Sequence, residues 1–302
     1  MKINANHIDF EVDISGPRAD AQGRARPVAL LIMGLGMQLT AWPPALVQAL
    51  VDAGFCVVRF DNRDAGLSQQ MTQFGTPNLL VESLKYKFGW RLKPPYTVQD
   101  MATDALAVLD ALDVDAAHVV GVSMGGMIAQ RVALSAPGRT LSLTSIMSSS
   151  SARHLPGPAP HIARALLSRP ADRSEQAAIA HGVKLFTLIS SPGFARDTTL
   201  LQQQVALATR RGYHPAGTAR QMVAVVADSA RTTELHRITA PTLVVHGRAD
   251  PLIPFVCGQD TAQRISGAQL VGIDGMGHDL PPGVVTRLLA ELVPHLQRAP
   301  RP

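Results

Sequence analysis

Three residues carry the side chains of a nucleophilic hydrolysis relay, and each stands just past an apolar run. Ser123 lies in Gly121-Val122-Ser123-Met124-Gly125, after the β-branched run His118-Val119-Val120 and before an apolar segment, 127–134, with helical spacing. This is the G-x-S-x-G nucleophile elbow in its required strand-to-helix setting. The flanking glycines let the backbone pack close around a strained turn, which lifts the hydroxyl clear of the sheet and sets it at the start of a helix. The bland alternative is a serine that merely makes a turn.

A serine hydroxyl is a weak nucleophile, so it needs a base to take its proton and an acid to hold that base in the right tautomer. Of the ten histidines, His278 alone sits in a glycine turn, Gly275-Met276-Gly277-His278-Asp279, just past a strand near the C-terminus. Asp250 follows the apolar run 242–245 in His246-Gly247-Arg248-Ala249-Asp250-Pro251, again just past a strand end. The alternative for Asp250 is a turn or helix cap, which Asp-Pro often makes. Asp274 and Asp279 are weaker candidates for the acid, because so near a neighbour cannot easily reach the far side of the same imidazole. The order Ser123, Asp250, His278 and the strand-end placements agree with one another.

Hydrolysis also needs donors for the developing oxyanion. The N–H of Met124, next to the nucleophile, is one candidate. The other comes from the loop Met33-Gly34-Leu35-Gly36-Met37 after the strand 28–32, with Leu35 as the named donor. Gly34 and Gly36 could equally serve only to turn the chain, and both roles are compatible.

The elements that must position these residues follow from periodicity. Residues 8–14 alternate apolar and polar, as a half-exposed edge strand does. The continuous apolar run at 28–32 and the β-branched or apolar-rich stretches at 55–60, 140–147, 242–245 and 269–273 read as strands, and 44–53, 98–112, 126–135, 255–265 and 284–297 as helices. Strand and helix alternate from Val28 onward, which predicts a mostly parallel sheet covered on both faces. Residues 69–95 show no clear period and hold much of the aromatic complement, so they read as a long lid loop. Its basic-aromatic stretch, 85–93, is expected to pack its aromatics inward with solvated lysines, the alternative being attraction of an anionic substrate or surface. From 152 to 237 the pattern turns helical and is broken by prolines and glycines. The expected organisation is therefore a core at 1–151 and 238–302 with a helical cap inserted at 152–237.

With 302 residues and 46% hydrophobic content, the chain can bury a full core. Its net charge of +5 comes from dispersed arginines among acidic residues, which argues against a nucleic-acid surface and is read as a bacterial composition effect. Cys56 and Cys257 lie far apart in apolar surroundings, as reduced buried thiols do. No leader pattern or long uncharged apolar run stands out, so a cytoplasmic protein with no membrane insertion is expected. The oligomeric state is open.

With these pieces together, the chain resembles the α/β-hydrolase superfamily over nearly its whole length, and within it the group of aclacinomycin methylesterase and related bacterial carboxylesterases. The resemblance rests on Met33-Gly34 in place of the commoner His-Gly, on Asp61-Asn62-Arg63-Asp64-Ala65-Gly66-Leu67-Ser68, on the elbow, and on Gly275-Met276-Gly277-His278. It implies an α/β-hydrolase fold with Ser123 as nucleophile, His278 as base, Asp250 as acid and Leu35 with Met124 as oxyanion donors, and it implies no metal or cofactor. The implied substrate is a small-molecule carboxylic ester, cleaved through an acyl-enzyme. A lactonase or cofactor-free perhydrolase using the same residues is the second reading, and a slow-turnover ligand receptor of the same fold is the third. Dehalogenases and epoxide hydrolases of this fold use an aspartate where Ser123 stands.

Overall fold

Runs of β-branched and apolar residues with no polar interruption form strands buried on both faces, because their alternating side chains feed two cores at once. A computed structural model describes residues 1–299 of the chain. Eight strands, β1 (Lys2–Ala5), β2 (Ile8–Ser15), β3 (Val28–Ile32), β4 (Cys56–Phe60), β5 (Ala117–Val122), β6 (Thr140–Ile146), β7 (Thr242–Gly247) and β8 (Gln269–Ile273), form one sheet in the order β1-β2-β4-β3-β5-β6-β7-β8. β1–β2 and β2–β4 are antiparallel, and every other pairing is parallel.

The helices are α1 (Pro44–Asp52), α2 (Leu79–Lys87), α3 (Val98–Ala111), α4 (Met124–Ser135), α5 (Pro160–Leu166), α6 (Glu175–Ile189), α7 (Thr198–Gly212), α8 (Pro215–Ala227), α9 (Phe255–Arg264) and α10 (Pro282–Arg298). In β3, Leu30 and Ile32 join one core with Val58, Phe60 and Val119, which α3 and α4 cover with Met101, Val108, Ile128 and Val132. Ala29 and Leu31 point the other way, into a core with Val57, Val120 and Val245 closed by α1 and α10 through Leu46, Leu50, Leu288 and Leu292. Burying one such side chain contributes about 1.5–3 kcal/mol. The two layers therefore hold the strand ends rigidly.

The sequence of connections places a switch point in the sheet. The chain leaves β3 for β4 on one side and returns to β5 on the other. Loops after β3 and β5 diverge there and open a crevice at the carboxyl ends of the strands. The loops bearing Leu35 and Ser123 both leave from that crevice.

Two expectations need correction. Residues 8–14 do not form an edge, since β1 pairs outside β2 with Ile3 opposite Phe10. β1 is only four residues long and too short to show a period. Residues 69–95 are not a continuous loop, for they contain α2, whose N-terminus is capped by Asn78 accepting from Leu80 and Val81 N–H. Their aromatics do not pack inward: Phe74, Tyr86, Phe88 and Trp90 are exposed, and only Tyr96 at the far end is buried. Both thiols are free and buried, as expected.

Candidate active site

The turn after β5 has the conformation an elbow demands. Ser123 has φ 56° and ψ −120°, a region disfavoured for any residue with a Cβ and costing on the order of 1–3 kcal/mol. Its surroundings over-determine it. The Ser123 N–H donates to Ile146 O at 2.9 Å, and its carbonyl accepts from Gly126 N–H at 3.0 Å and Ser148 Oγ at 2.7 Å. A Cβ on Gly125 would lie 2.0 Å from Ile32 O, so only glycine lets α4 start this close to β3. Sheet packing thus fixes Ser123, while its side chain remains partly exposed.

His278 is delivered by the loop between β8 and α10. Its Nε2 lies 3.0 Å from Ser123 Oγ, and its Nδ1 lies 2.7 Å from Asp250 Oδ2. Asp250 leaves β7 and turns inward, where its Oδ1 accepts from the N–H groups of Leu252 and Ile253, both at 2.9 Å. Those two bonds spend one carboxylate oxygen on the turn and leave the other for the ring. His278 and Asp250 are both buried. Behind them His246, fully buried, contacts the Ile253 carbonyl at 2.8 Å through Nε2, and burial holds its pKa below the ordinary histidine value.

The two weaker acid candidates sit elsewhere. Asp274 is solvent-exposed and pairs with Arg248. Asp279 accepts from both the N–H and the hydroxyl of Ser191, and burial raises its carboxyl pKa. Ser191 Oγ in turn accepts from Gly277 N–H at 2.9 Å, and His278 N–H donates to Ile189 O at 2.7 Å. Asp279 therefore braces the histidine loop from the end of α6 rather than touching the imidazole at its far side.

The loop after β3 makes a tight turn at the same place. Met37 N–H donates to Gly34 O at 3.1 Å, and Gly36 has φ +66°, the combination of a turn that needs glycine in its third position. Asn62 Nδ2 donates to Met33 O at 3.0 Å, and Gly36 N–H donates to Gln221 Oε1 at 2.8 Å. Among the described residues, the N–H groups of Leu35 and Met124 have no backbone or side-chain acceptor. Gly34 lies against the Ser123 side chain, a Cβ there standing 3.1 Å from Ser123 Cβ. Both free donors thus flank the serine.

The segment 61–68 is where the helices between β6 and β7 attach to the sheet. Asp61 accepts from Leu39 and Leu67 N–H and pairs with Arg211 of α7 at 2.7 Å. Asp64 pairs with Arg220 of α8 through two bonds of 2.6 and 2.7 Å and also accepts from Tyr96 OH at 2.7 Å. Burial alone would raise the Asp64 pKa, but the bonds from Arg220 and Tyr96 outweigh it and hold the carboxyl below its ordinary value. Gln221, Ser191, Ser148 and Arg220 were not singled out by sequence. Only the serine run 148–151, just past a strand end, offered any signal; the other three are polar residues in or just after helices whose partners are far away in the chain.

Among the described residues, no group of three or more His, Cys, Asp or Glu could hold a metal ion. Residues 27–281 match the family model for the alpha/beta hydrolase fold. The chain belongs to the alpha/beta hydrolase family. Within it, the chain is 33% identical over 290 residues to a rhodomycin D methylesterase of Streptomyces sp. strain C5, covering 89% of this chain and 91% of that one. It is 32% identical over 290 residues to the rhodomycin D methylesterase of Streptomyces peucetius, with the same coverage, 89% and 91%. The methylesterase-like group expected from sequence is thus the one found. Among solved structures, the enol-lactonase from Burkholderia xenovorans LB400 superposes with a TM-score of 0.74 over 99% of this hydrolase and 100% of that chain. At 20% identity that likeness is one of fold.

Proposed function

We propose that this hydrolase cleaves carboxylic esters through an acyl-enzyme, with Ser123 as nucleophile, His278 as general base and acid, and Asp250 as the group that orients and supports the imidazole. The observation that carries the reading is the unbroken contact from Asp250 Oδ2 through the ring of His278 to Ser123 Oγ, 2.7 and 3.0 Å, at three strand ends. Ser123 Oγ attacks the ester carbonyl as His278 Nε2 takes its proton. Charge develops on the carbonyl oxygen and is met by the N–H groups of Leu35 and Met124. His278 then gives the proton to the departing alkoxide, and the acyl group remains on Ser123. Water, deprotonated by the same imidazole, releases the acid and restores the serine.

The similarity to two rhodomycin D methylesterases over nearly the full chain supports a methyl ester of a carboxylic acid as the substrate class. In this reading residues 152–237 are a cap that shapes the pocket over the sheet, and α6, α7 and α8 anchor it to the loops of the site. The test is intact-mass spectrometry after a serine-directed organophosphonate, beside turnover of methyl and p-nitrophenyl esters. A single adduct that is absent from Ser123→Ala, together with ester turnover lost in the same folded variant, is expected. An adduct that persists in Ser123→Ala, or turnover near wild type in that variant, overturns the assignment.

A further inference from the structure

The helix α2 is amphipathic in the wrong direction for a folded core. Leu80, Leu84 and Phe88 are four apart and share one stripe, with Val81 beside it, and all four are exposed, Leu80 and Phe88 at 66%. Leu79 and Glu82, on the opposite side of the helix, and Lys85 at its border are the partly buried ones. Trp90 follows at 65% exposure, its ring centroid 6.1 Å from that of Phe88. Five of the sixteen exposed large apolar residues among the described residues, Leu80, Val81, Leu84, Phe88 and Trp90, fall together between 80 and 90, so this is a patch and not a scatter; Tyr86, also exposed, lies on the other face of the helix under Arg153.

The charge around the patch has one sign. On the helix, Lys87 borders the apolar arc on one side and Lys85 on the other, and Arg91 and Lys93 follow Trp90. The single acid in residues 79–93 is Glu82, already paired with Lys85 at 2.6 Å. An outward apolar arc edged by lysines and followed by an aromatic pair suits the boundary of a membrane, where rings sit at headgroup depth and ammonium groups meet anionic lipid. A second copy of the chain fits less well, because a two-fold contact through this face would set these cations against each other. At nine residues α2 is too short to span a bilayer, and no described helix is long and apolar enough to cross one.

We propose that α2 and the following segment to Lys93 dock this protein on an anionic lipid surface, with Leu80, Leu84, Phe88 and Trp90 in the acyl boundary and Lys87, Arg91 and Lys93 at the headgroups. Nothing in this docking depends on the hydrolytic reading, since none of these residues hydrogen-bonds to Ser123, His278 or Asp250.

The experiment is sedimentation of the full chain with vesicles of phosphatidylcholine alone and with phosphatidylglycerol added, followed also by tryptophan emission. The chain has two tryptophans and Trp42 is buried, so a shift on adding vesicles reports Trp90. Binding that rises with phosphatidylglycerol, weakens in high salt and shifts the emission to the blue is expected. Lys87→Gln and Lys93→Gln should each weaken partition roughly fivefold. Leu84→Glu should abolish it while turnover of a soluble short ester stays unchanged, which shows the variant is folded. No binding to anionic vesicles, equal binding to neutral ones, or partition unaffected by Leu84→Glu overturns the proposal. So does a wild-type dimer in analytical ultracentrifugation that Leu84→Glu dissociates, which would assign the patch to a second copy.

Discussion

Gln221 and Gly36 are 185 residues apart in sequence and 2.8 Å apart in space, the Gly36 N–H donating to the Gln221 side-chain oxygen. The amide's other end donates to Arg63 O at 2.7 Å, so α8 is tied at one point to two loops of the sheet. The peptide it holds is the central one of the turn that presents Leu35. A flip of that peptide would change how the neighbouring N–H faces Ser123, and the bond from Gln221 opposes the flip.

Replacing Gln221 by leucine should therefore act on the chemical step. The variant leaves Gly36 N–H and Arg63 O without partners, a cost of about 1–3 kcal/mol when such groups are buried. Loss of a full oxyanion donor costs about 10² to 10³ in rate, so loosening one should lower kcat roughly tenfold with little change in KM. Steady-state kinetics on a short ester decide it. A rise in KM at constant kcat would place Gln221 in ground-state binding instead.

Ser123, Asp250 and His278, which the structure brings within hydrogen-bond distance of one another, were legible as candidates because each carries local chemistry at the end of a periodic run: a glycine-flanked serine, an Asp-Pro turn, a glycine-rich histidine loop. The strands of the parallel sheet were legible for a similar reason, since double burial removes every polar residue from 28–32 and leaves no other reading. Gln221, Arg220 and Ser191 were not, because a helix sequence shows which face is apolar but not which distant loop a polar residue on that face will meet. α2 was missed because it is only nine residues long and the apolar residues at 79, 80, 81, 84, 86 and 88 fall on both sides of it, so no single period stands out. β1 was missed through shortness alone.

Asp250 and Asp279 offer a direct comparison of two acids close to one histidine. Asp250→Asn keeps a side chain of the same shape but removes the charge that supports the imidazolium and favours the wrong tautomer, so kcat should fall by about 10³ to 10⁴. Asp279→Asn touches only the Ser191 brace behind the loop. It should cost far less, about tenfold or under, as the loss of a positioning bond does. Kinetics of both variants on one substrate check this, and a larger loss for Asp279→Asn would exchange their roles.

The buried pair Asp64–Arg220 should govern stability more than rate. Asp64→Asn tolerates the local φ of +67° but leaves the Arg220 guanidinium, 2% exposed, without a counter-charge. Removing one partner of such a pair costs about 3–5 kcal/mol. Arg220→Met leaves the carboxylate unpaired and should cost a similar amount. In the double variant no isolated charge remains, so its destabilisation should be well below the sum of the two. Denaturant unfolding of the three variants measures the coupling, and strict additivity would contradict it.

His118 gives the fold an acid sensitivity. It lies in β5, 2% exposed, with Nδ1 2.9 Å from Ser142 Oγ and the Phe55 ring set perpendicular to it at 5.4 Å between centroids. Burial, with a smaller contribution from His295, lowers its pKa from the ordinary 6.5 to about 4. As pH falls through 6.5 the unfolded chain takes up a proton that the folded chain still refuses. Folding stability from this group is therefore complete above about 6.5 and drains away toward pH 4, by roughly 3 kcal/mol in all. The buried His246, lowered in the same direction, adds to the slope. His118→Phe removes the proton site while filling the space, so the variant should lose less stability than wild type between pH 7 and pH 5. Urea unfolding at those two pH values decides it, and equal losses in both proteins would move the acid sensitivity to another group.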